Sequence, residues 1–431
     1  MPAMTYQSPI SPGVSYYEAT ISERPEYPVM DGPIAVDVAI VGGGFTGLSA
    51  AVTLAKAGVS VAVIEAHRFG DGASGRNGGQ FGTGFRTSAP EHEAAFGLER
   101  ARELFAIAED AKAHVHTFAR DEGIDIEFQP GQMSVVHKPR YLDEYKAYAE
   151  TMASRFDYPH VRFMDAAETA ERLGSTRYHG GVRDMGTGHI NPMKLVVGTA
   201  AAAARRGALL FEQTKATAIT SQNGKVTIET GRGALQAEHC LVAVNAYGGA
   251  VEPVSAAHVM PIRSFIGATV PLPADSPVLP GGESVDDSRF VVRYFRRNAE
   301  GRLLFGGREA YTADNPGDIT RHIRRQIAEI YPALKDVEIT HAWGGSVGIT
   351  MPREPFVREV QPRVTSIGGF SGHGVMLSNF TGRLYAERLL GGSDRLKAVR
   401  ELKVPPFPGG RRFRKPLLTL ALTWFAMRDR V

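Results

Sequence analysis

Apolar runs along the chain are short and evenly punctuated, so the elements they predict can be read one at a time. Residues 37–41 (DVAIV) form a compact apolar run with β-branched side chains, and GGGFTG (42–47) cuts it off. Residues 48–57 then continue as an Ala-rich helix that stops at Gly58, and residues 59–64 (VSVAVI) form a second strand closed by Glu65. Further on, 195–206 reads as an amphipathic helix ended by Gly207, and 208–211 as a short strand. Residues 225–229 and 237–244 read as strands, with Asn223-Gly224 as a hairpin turn. The runs 265–272, 290–295 and 302–306 have no helix between them, which suits an antiparallel sheet. Near the end, 364–369 is a strand, 370–374 a tight turn, and 375–390 a helix that stops before Gly391-Gly392. The pattern is that of an α/β protein combining a strand–turn–helix unit with a separate sheet.

Composition narrows the class. A length of 431 residues allows roughly two to four domains. A formal net charge of +3 gives no footing for nucleic-acid binding. One cysteine, Cys240, excludes both an intramolecular disulfide and a Cys-rich zinc site, so no metal is expected and a reducing compartment, the cytoplasm, is. The first 36 residues lack the basic and apolar regions of a secretory signal, and no stretch reaches the 18 or so apolar residues of a membrane span.

Glycine is the outlier, at 48 residues, and its clusters carry the chemistry. A GxGxxG pattern alone is weak. Here Gly42, Gly44 and Gly47 sit between a strand and a helix, and Glu65 follows eighteen residues later at a strand end. Gly42 serves the tight turn, Gly44 the close approach of a pyrophosphate, and Gly47 helix packing. Phe45 and Thr46 open the helix whose N-terminus attracts phosphate charge. Glu65, followed by Ala66, would accept ribose hydroxyls. The plain alternative is a structural glycine turn with a surface glutamate.

That unit says adenine dinucleotide without choosing NAD or FAD. A second glycine-rich stretch, residues 70–80 (GDGASGRNGGQ), stands where a nicotinamide domain would normally continue with a helix. Ala73, Ser74, Gly75, Arg76, Asn77, Gly78, Gly79 and Gln80 are therefore expected to line the rest of a longer cofactor. A flexible surface loop is the alternative, and the Arg and Asn argue against it.

With these motifs in hand, the sequence resembles the glycine/D-amino-acid-oxidase-like FAD oxidoreductases, whose hallmark is this fingerprint followed by an ASGRNGG-type loop. GGVRD (180–184), GHINP (188–192), LVAVNAY (241–247), WGG (343–345) and FSGHGVM (370–376) follow in the family's order. Within the family, SVDDSR (284–289), YFR (294–296) before GRLLFGG (301–307), and PFPGG (406–410) with the segment after it resemble the γ-glutamylputrescine oxidoreductase branch.

The resemblance implies a Rossmann-like FAD-binding domain interleaved with an antiparallel-sheet substrate domain, the D-amino-acid-oxidase-like fold. The FAD domain is expected at 36–90, 161–250 and 341–403, the substrate domain at 91–160 and 251–340, and an apolar and basic tail at 404–431. It also implies oxidation of an amine C–N bond by hydride transfer to the flavin, giving an imine that hydrolyses. The expected substrate is γ-glutamylputrescine or a related amine, with a secondary amine, an N-methyl amino acid or a D-amino acid as alternatives. Oxygen or another acceptor would take the electrons.

A second helix N-terminus, at Gly372, His373, Gly374, Val375 and Met376, is expected to face the flavin, where it would stabilise negative charge. Arg308 and Arg296 are candidates to clamp a substrate carboxylate, with Tyr294 as a wall or donor. The alternative for each arginine is a solvated sheet face. His341 reads as a packed strand-end residue.

Sarcosine oxidases of the superfamily tether flavin through a cysteine after the Trp-Gly region and use a lysine near the strand that here reads 303–306. This chain has neither. Cys240 falls in a predicted core strand, so the FAD is expected to be non-covalent. In the tail, a basic patch (411–415) precedes an apolar run (417–427) too short to span a bilayer. Packing against the body is preferred there over a membrane-surface helix delivering electrons to quinone.

Overall fold

In the computed structural model of the chain, residues 6–249, 251–310, 318–392 and 394–409 are described, with 308–310 known by backbone alone. The tail segment 411–427 lies outside the described residues.

The strands in chain order are β1 (Ile34–Val41), β2 (Val61–Ile64), β3 (Gln129–Val135), β4 (Val161–Met164), β5 (Gly181–His189), β6 (Leu209–Phe211), β7 (Ala216–Gln222) and β8 (Lys225–Thr230). They continue as β9 (Gly233–Val242), β10 (Met260–Pro271), β11 (Ser284–Asp287), β12 (Tyr294–Arg297), β13 (Arg302–Ala310), β14 (Ile339–Ile349), β15 (Phe356–Gln361) and β16 (Val364–Gly368). Five helices matter for the site: α1 (Phe45–Lys56), α2 (Leu98–Asp121), α3 (Pro192–Arg205), α4 (Ile319–Ile330) and α5 (Gly374–Leu389).

The first sheet runs in the order β15-β16-β9-β1-β2-β6, with β7 and β8 continuing from β9. β1 pairs in parallel with both β2 and β9, and β16 in parallel with β9. Its central strands are buried on both faces, which is why 38–41 and 61–64 read as unbroken apolar runs. Alternate residues serve the two faces. Ile40, Val63 and Leu241 pack toward α1 and α5, with Leu48, Leu54, Phe380 and Leu384 in the same cluster. Val41, Ile64 and Val242 face the other way, toward Val226 and Ile228 of β8. Cutting one such side chain back to alanine costs about 2–5 kcal/mol.

The second sheet runs β14-β10-β13-β12-β11-β3-β5-β4 and is mixed, since β11 lies parallel to β3 while its other pairings are antiparallel. One face carries Phe295, Leu303 and Phe305, packed with Ile323 and Ile327 of α4. The period of two sends Tyr294, Asp286 and Gln132 to the opposite face.

Two expectations are corrected. β4 and β5, inside the 161–250 segment expected in the FAD domain, pair in the second sheet, as does β14 at the start of 341–403. The run 290–295 is a strand only from Tyr294 onward. The Asp287 carboxylate accepts the amides of Arg289 (3.2 Å) and Arg293 (3.1 Å), and these bonds curl the intervening residues into a bend.

Candidate active site

The C-terminal ends of β1 and β2, the 70–80 loop, the N-terminus of α5 and the inner face of the second sheet enclose one cavity of about 830 Å³. At one end Gly42, Gly44, Phe45, Thr46, Glu65 and Ala66 line it. Gly42 has φ +106°, and a Cβ there would stand 2.7 Å from the Ala243 carbonyl, so only glycine fits the turn. Gly47 lies behind the wall, where a side chain would collide with the Gly42 carbonyl, and this keeps α1 against β1. The Glu65 carboxylate accepts the Gly43 amide at 2.9 Å and the His67 amide at 3.1 Å. Burial pushes its pKa up, and these two amides oppose the rise.

The 70–80 loop uses its polar side chains in three ways. Ser74 Oγ accepts the Phe45 amide at 3.0 Å, capping α1 from outside where its own N-cap, Gly44, has no side chain to do so. Asn77 holds the loop in shape: its Nδ2 donates to the carbonyls of Ala73 and Ser74, and its Oδ1 accepts the Gly79 amide. Arg76 reaches outward. Its Nε donates to Gly344 O (2.7 Å) and its Nη2 to the carbonyls of Pro12 (2.9 Å) and Gly13 (3.0 Å), while Trp343 Nε1 donates to Arg76 O (3.1 Å). Gln80 Nε2 donates to Val285 O in the second sheet. Ala73, Ser74, Arg76, Asn77, Gly78 and Gln80 line the cavity, while Gly75 and Gly79 do not.

At the late turn Gly372, His373, Gly374 and Val375 line the cavity, and Met376 is buried one residue behind. His373 is the N-cap residue of α5, so the first free amides of that helix open on the cavity. Burial, reinforced by the charge of Arg86, pushes the His373 pKa down to about 3, and the ring is neutral at physiological pH. It can share a hydrogen bond there but is not a cationic acid at that pH.

The second sheet supplies the far wall. Tyr294 lines the cavity, its hydroxyl 3.0 Å from Ser264 Oγ, with Phe290, Val292, Asp286 and Gln132 around it. Burial raises the Asp286 pKa, against the hydrogen bonds from Ser134 and Gln132 and the charge of Arg86. Arg296 does not line the cavity. Its guanidinium donates to Gly78 O (2.8 Å), Tyr17 Oη (3.0 Å) and Ile190 O (3.0 Å) and meets His189 Nδ1 (3.0 Å), so it holds the loop from behind instead of facing a substrate. The backbone of Arg308 pairs with Phe265, and its side chain lies outside the described residues. His341 is half-buried against Tyr16, away from the cavity.

Several lining residues were not singled out from sequence. Arg86 follows the glycine loop. Asn245 and Tyr247 fall within the quoted 241–247 motif, where no role was given them: Asn245 Oδ1 accepts the Gly369 amide (2.8 Å) and Tyr247 Oη accepts the Ser346 amide (3.0 Å), tying β14 and the late turn to the end of β9.

The cradle suits FAD on its own geometry. It has two helix N-termini, a half-buried carboxylate at the end of β2, and a glycine turn that a side chain would fill. These features define a dinucleotide flavoenzyme, and sequence comparison agrees. The chain belongs to the DAO family of FAD dependent oxidoreductases, whose match spans residues 37–388. It is similar to a probable oxidoreductase OrdL of Rhizobium meliloti, 63% identical over 99% of this chain and 100% of that protein. It is also similar to the gamma-glutamylputrescine oxidoreductase of Escherichia coli, 33% identical over 97% of this chain and 98% of that one. Its fold matches glycine oxidase from Geobacillus kaustophilus with a TM-score of 0.74, at 22% identity, over 86% of this chain and all of that one. FAD is thus the cofactor. Among the described residues no helix is long and apolar enough to cross a membrane.

Proposed function

We propose that the protein oxidises a primary amine, γ-glutamylputrescine or a close analogue, to an imine that hydrolyses to an aldehyde. The observation that carries this reading is the continuity of the cavity from Glu65, at the dinucleotide end, to Tyr294, Phe290 and Val292 on the second sheet. A small molecule can therefore lie beside the reactive end of the cofactor. The likeness to the Escherichia coli enzyme supports the choice of amine.

FAD, when bound, supplies the two-electron acceptor. The chain's own residues bind, orient and exclude water. Phe290, Val292 and Met351 give the cavity apolar walls, and such walls favour the uncharged form of an amine, the form that can be oxidised. The backbone amides at Gly374 and Val375 offer preorganised donors to negative charge. Cys240 supports non-covalent FAD: it is buried in β9, outside the cavity lining, and burial pushes its thiol up to about 12. A single cysteine also supports placing the enzyme in the cytoplasm.

Anaerobic mixing with γ-glutamylputrescine, putrescine, sarcosine and D-alanine tests the reading. Bleaching of the flavin by the first is expected. Readmitted air then separates oxygen from a quinone or carrier protein as acceptor. A flavin that none of the four bleaches removes the proposal.

A further inference from the structure

The wall built by the second sheet carries charge that oxidation itself does not use. Asp286 lies on β11 between Ser134 of β3 and Tyr294 of β12, its register partners. Its Oδ1 accepts from Ser134 Oγ at 2.6 Å and from Gln132 Nε2 at 3.3 Å. Both bonds fall on one oxygen, which leaves Oδ2 without a donor among the described residues. Gln132 adds a second unmet acceptor: its Nε2 is committed to Asp286, and its buried Oε1 has no hydrogen-bond partner. A buried acceptor such as Gln132 Oε1 is costly to leave without a donor. A ligand group with several N–H donors would remove that cost, and an ammonium has three.

The complementary charge lies in the same cavity. Arg86 lines it and forms no ion pair or hydrogen bond among the described residues. Its charge acts on both Asp286 and His373, yet Asp286 and Arg86 do not pair with each other. Two opposite charges held apart in one cavity complement a molecule that carries both.

We propose that Asp286, with Gln132 beside it, and Arg86 receive the zwitterionic head of an α-amino acid, its ammonium on Asp286 Oδ2 and its carboxylate on the Arg86 guanidinium. This rests on the amine-oxidation reading and adds a direction to it. The α-amino group is the anchor, and the amine that is oxidised sits at the other end of the molecule. Phe290 and Val292 flank an apolar linker between the two ends.

The test is a binding measurement on holoenzyme whose flavin has been reduced beforehand, so that no turnover occurs. Calorimetry compares γ-glutamylputrescine with N-glutarylputrescine, the same compound without its α-amino group, and with putrescine. Wild type should bind the glutamyl compound about tenfold to a hundredfold more tightly than the glutaryl one, the range expected for a charged hydrogen bond. Asp286→Asn should equalise the two at unchanged FAD content. Arg86→Gln, at an exposed side chain, should weaken both and leave putrescine unchanged. Equal affinities in wild type, or a preference that survives Asp286→Asn, would overturn the proposal. If Asp286→Asn does not yield holoenzyme, an Arg86→Gln protein that binds both compounds as wild type does overturns it alone. The amine-oxidation reading fails separately, when neither compound bleaches oxidised flavin although the binding preference is present.

Discussion

The imidazole of His373 rests against the backbone of Gly82, so that a methyl group added to Gly82 would stand 2.5 Å from Nε2 and 2.8 Å from Cδ2. The contact joins the stretch after the early glycine loop to the N-terminus of α5 across the cofactor cavity. Gly82→Ala should therefore displace the ring, cost about 1–2 kcal/mol and lower FAD retention. His373→Ala should relieve much of that clash, so the double variant is less destabilised than the sum of the singles. Chemical denaturation of the four proteins measures the coupling, and strictly additive effects would contradict the contact.

The depressed pKa of His373 has a consequence in acid. The unfolded chain takes up a proton near pH 6.5, whereas the folded ring does so only near pH 3. Stability is then unaffected above pH 6.5 and is lost as pH falls toward 3. By pH 4.5 the loss amounts to about 2–3 kcal/mol. His373→Gln should be correspondingly less acid-sensitive between pH 7 and 4.5. Because the native ring does not titrate above pH 5, the variant should also keep the shape of the pH profile of kcat/KM.

Glu65→Ala removes the acceptor of the Gly43 and His67 amides and the carboxylate facing the cavity. FAD should be retained about tenfold or more less tightly, in keeping with the loss of a charge-assisted hydrogen bond. Fluorescence of flavin released on dilution reads this. Retention equal to wild type would remove Glu65 from the cofactor site.

Arg296→Met separates a structural arginine from a substrate one. It leaves the Gly78 and Ile190 carbonyls and Tyr17 Oη without their donor, and it should destabilise by about 1–3 kcal/mol or more. Whatever enzyme remains folded should keep the KM of its amine. Unchanged stability with a raised KM would reverse the assignment.

The parts legible in sequence are those whose physics is local. β1, α1 and β2 occupy one continuous stretch of chain, so their order and spacing are readable locally, although Gly42 is held to glycine by the Ala243 carbonyl far along the chain. The late turn and α5 follow the same rule, with the helix starting at Gly374, one residue before the expected 375. The second sheet was legible only at its apolar strands. β3 (QPGQMSV) and β5 (GVRDMGTGH) carry polar residues with partners of their own, Gln132 at the cavity, Arg183 on Glu283 and Asp184 on Thr83 and Tyr158, so hydrophobic alternation gives no signal there. Helix α2 was likewise not singled out, although it buries Leu104, Ile107, Ala111 and Val115. Arg86 and Asp286 are far apart in sequence, and only the closing of the second sheet over the loop brings both to one cavity. Arg296 shows the converse: an arginine on a strand looks the same in sequence whether it meets a ligand or, as here, two backbone carbonyls, a tyrosine and a histidine.

The reach of Arg76 sets a timetable for biosynthesis. Its guanidinium binds Gly344, 268 residues downstream, and the carbonyls of Pro12 and Gly13, 64 and 63 residues upstream. β1 in turn needs β9 as a partner. A ribosome that has made the glycine fingerprint has therefore made no cofactor pocket. The nascent chain must wait until β14 and the late turn have emerged before the loop is fastened and FAD can be held, so the flavin is acquired near the end of synthesis and by an almost complete polypeptide.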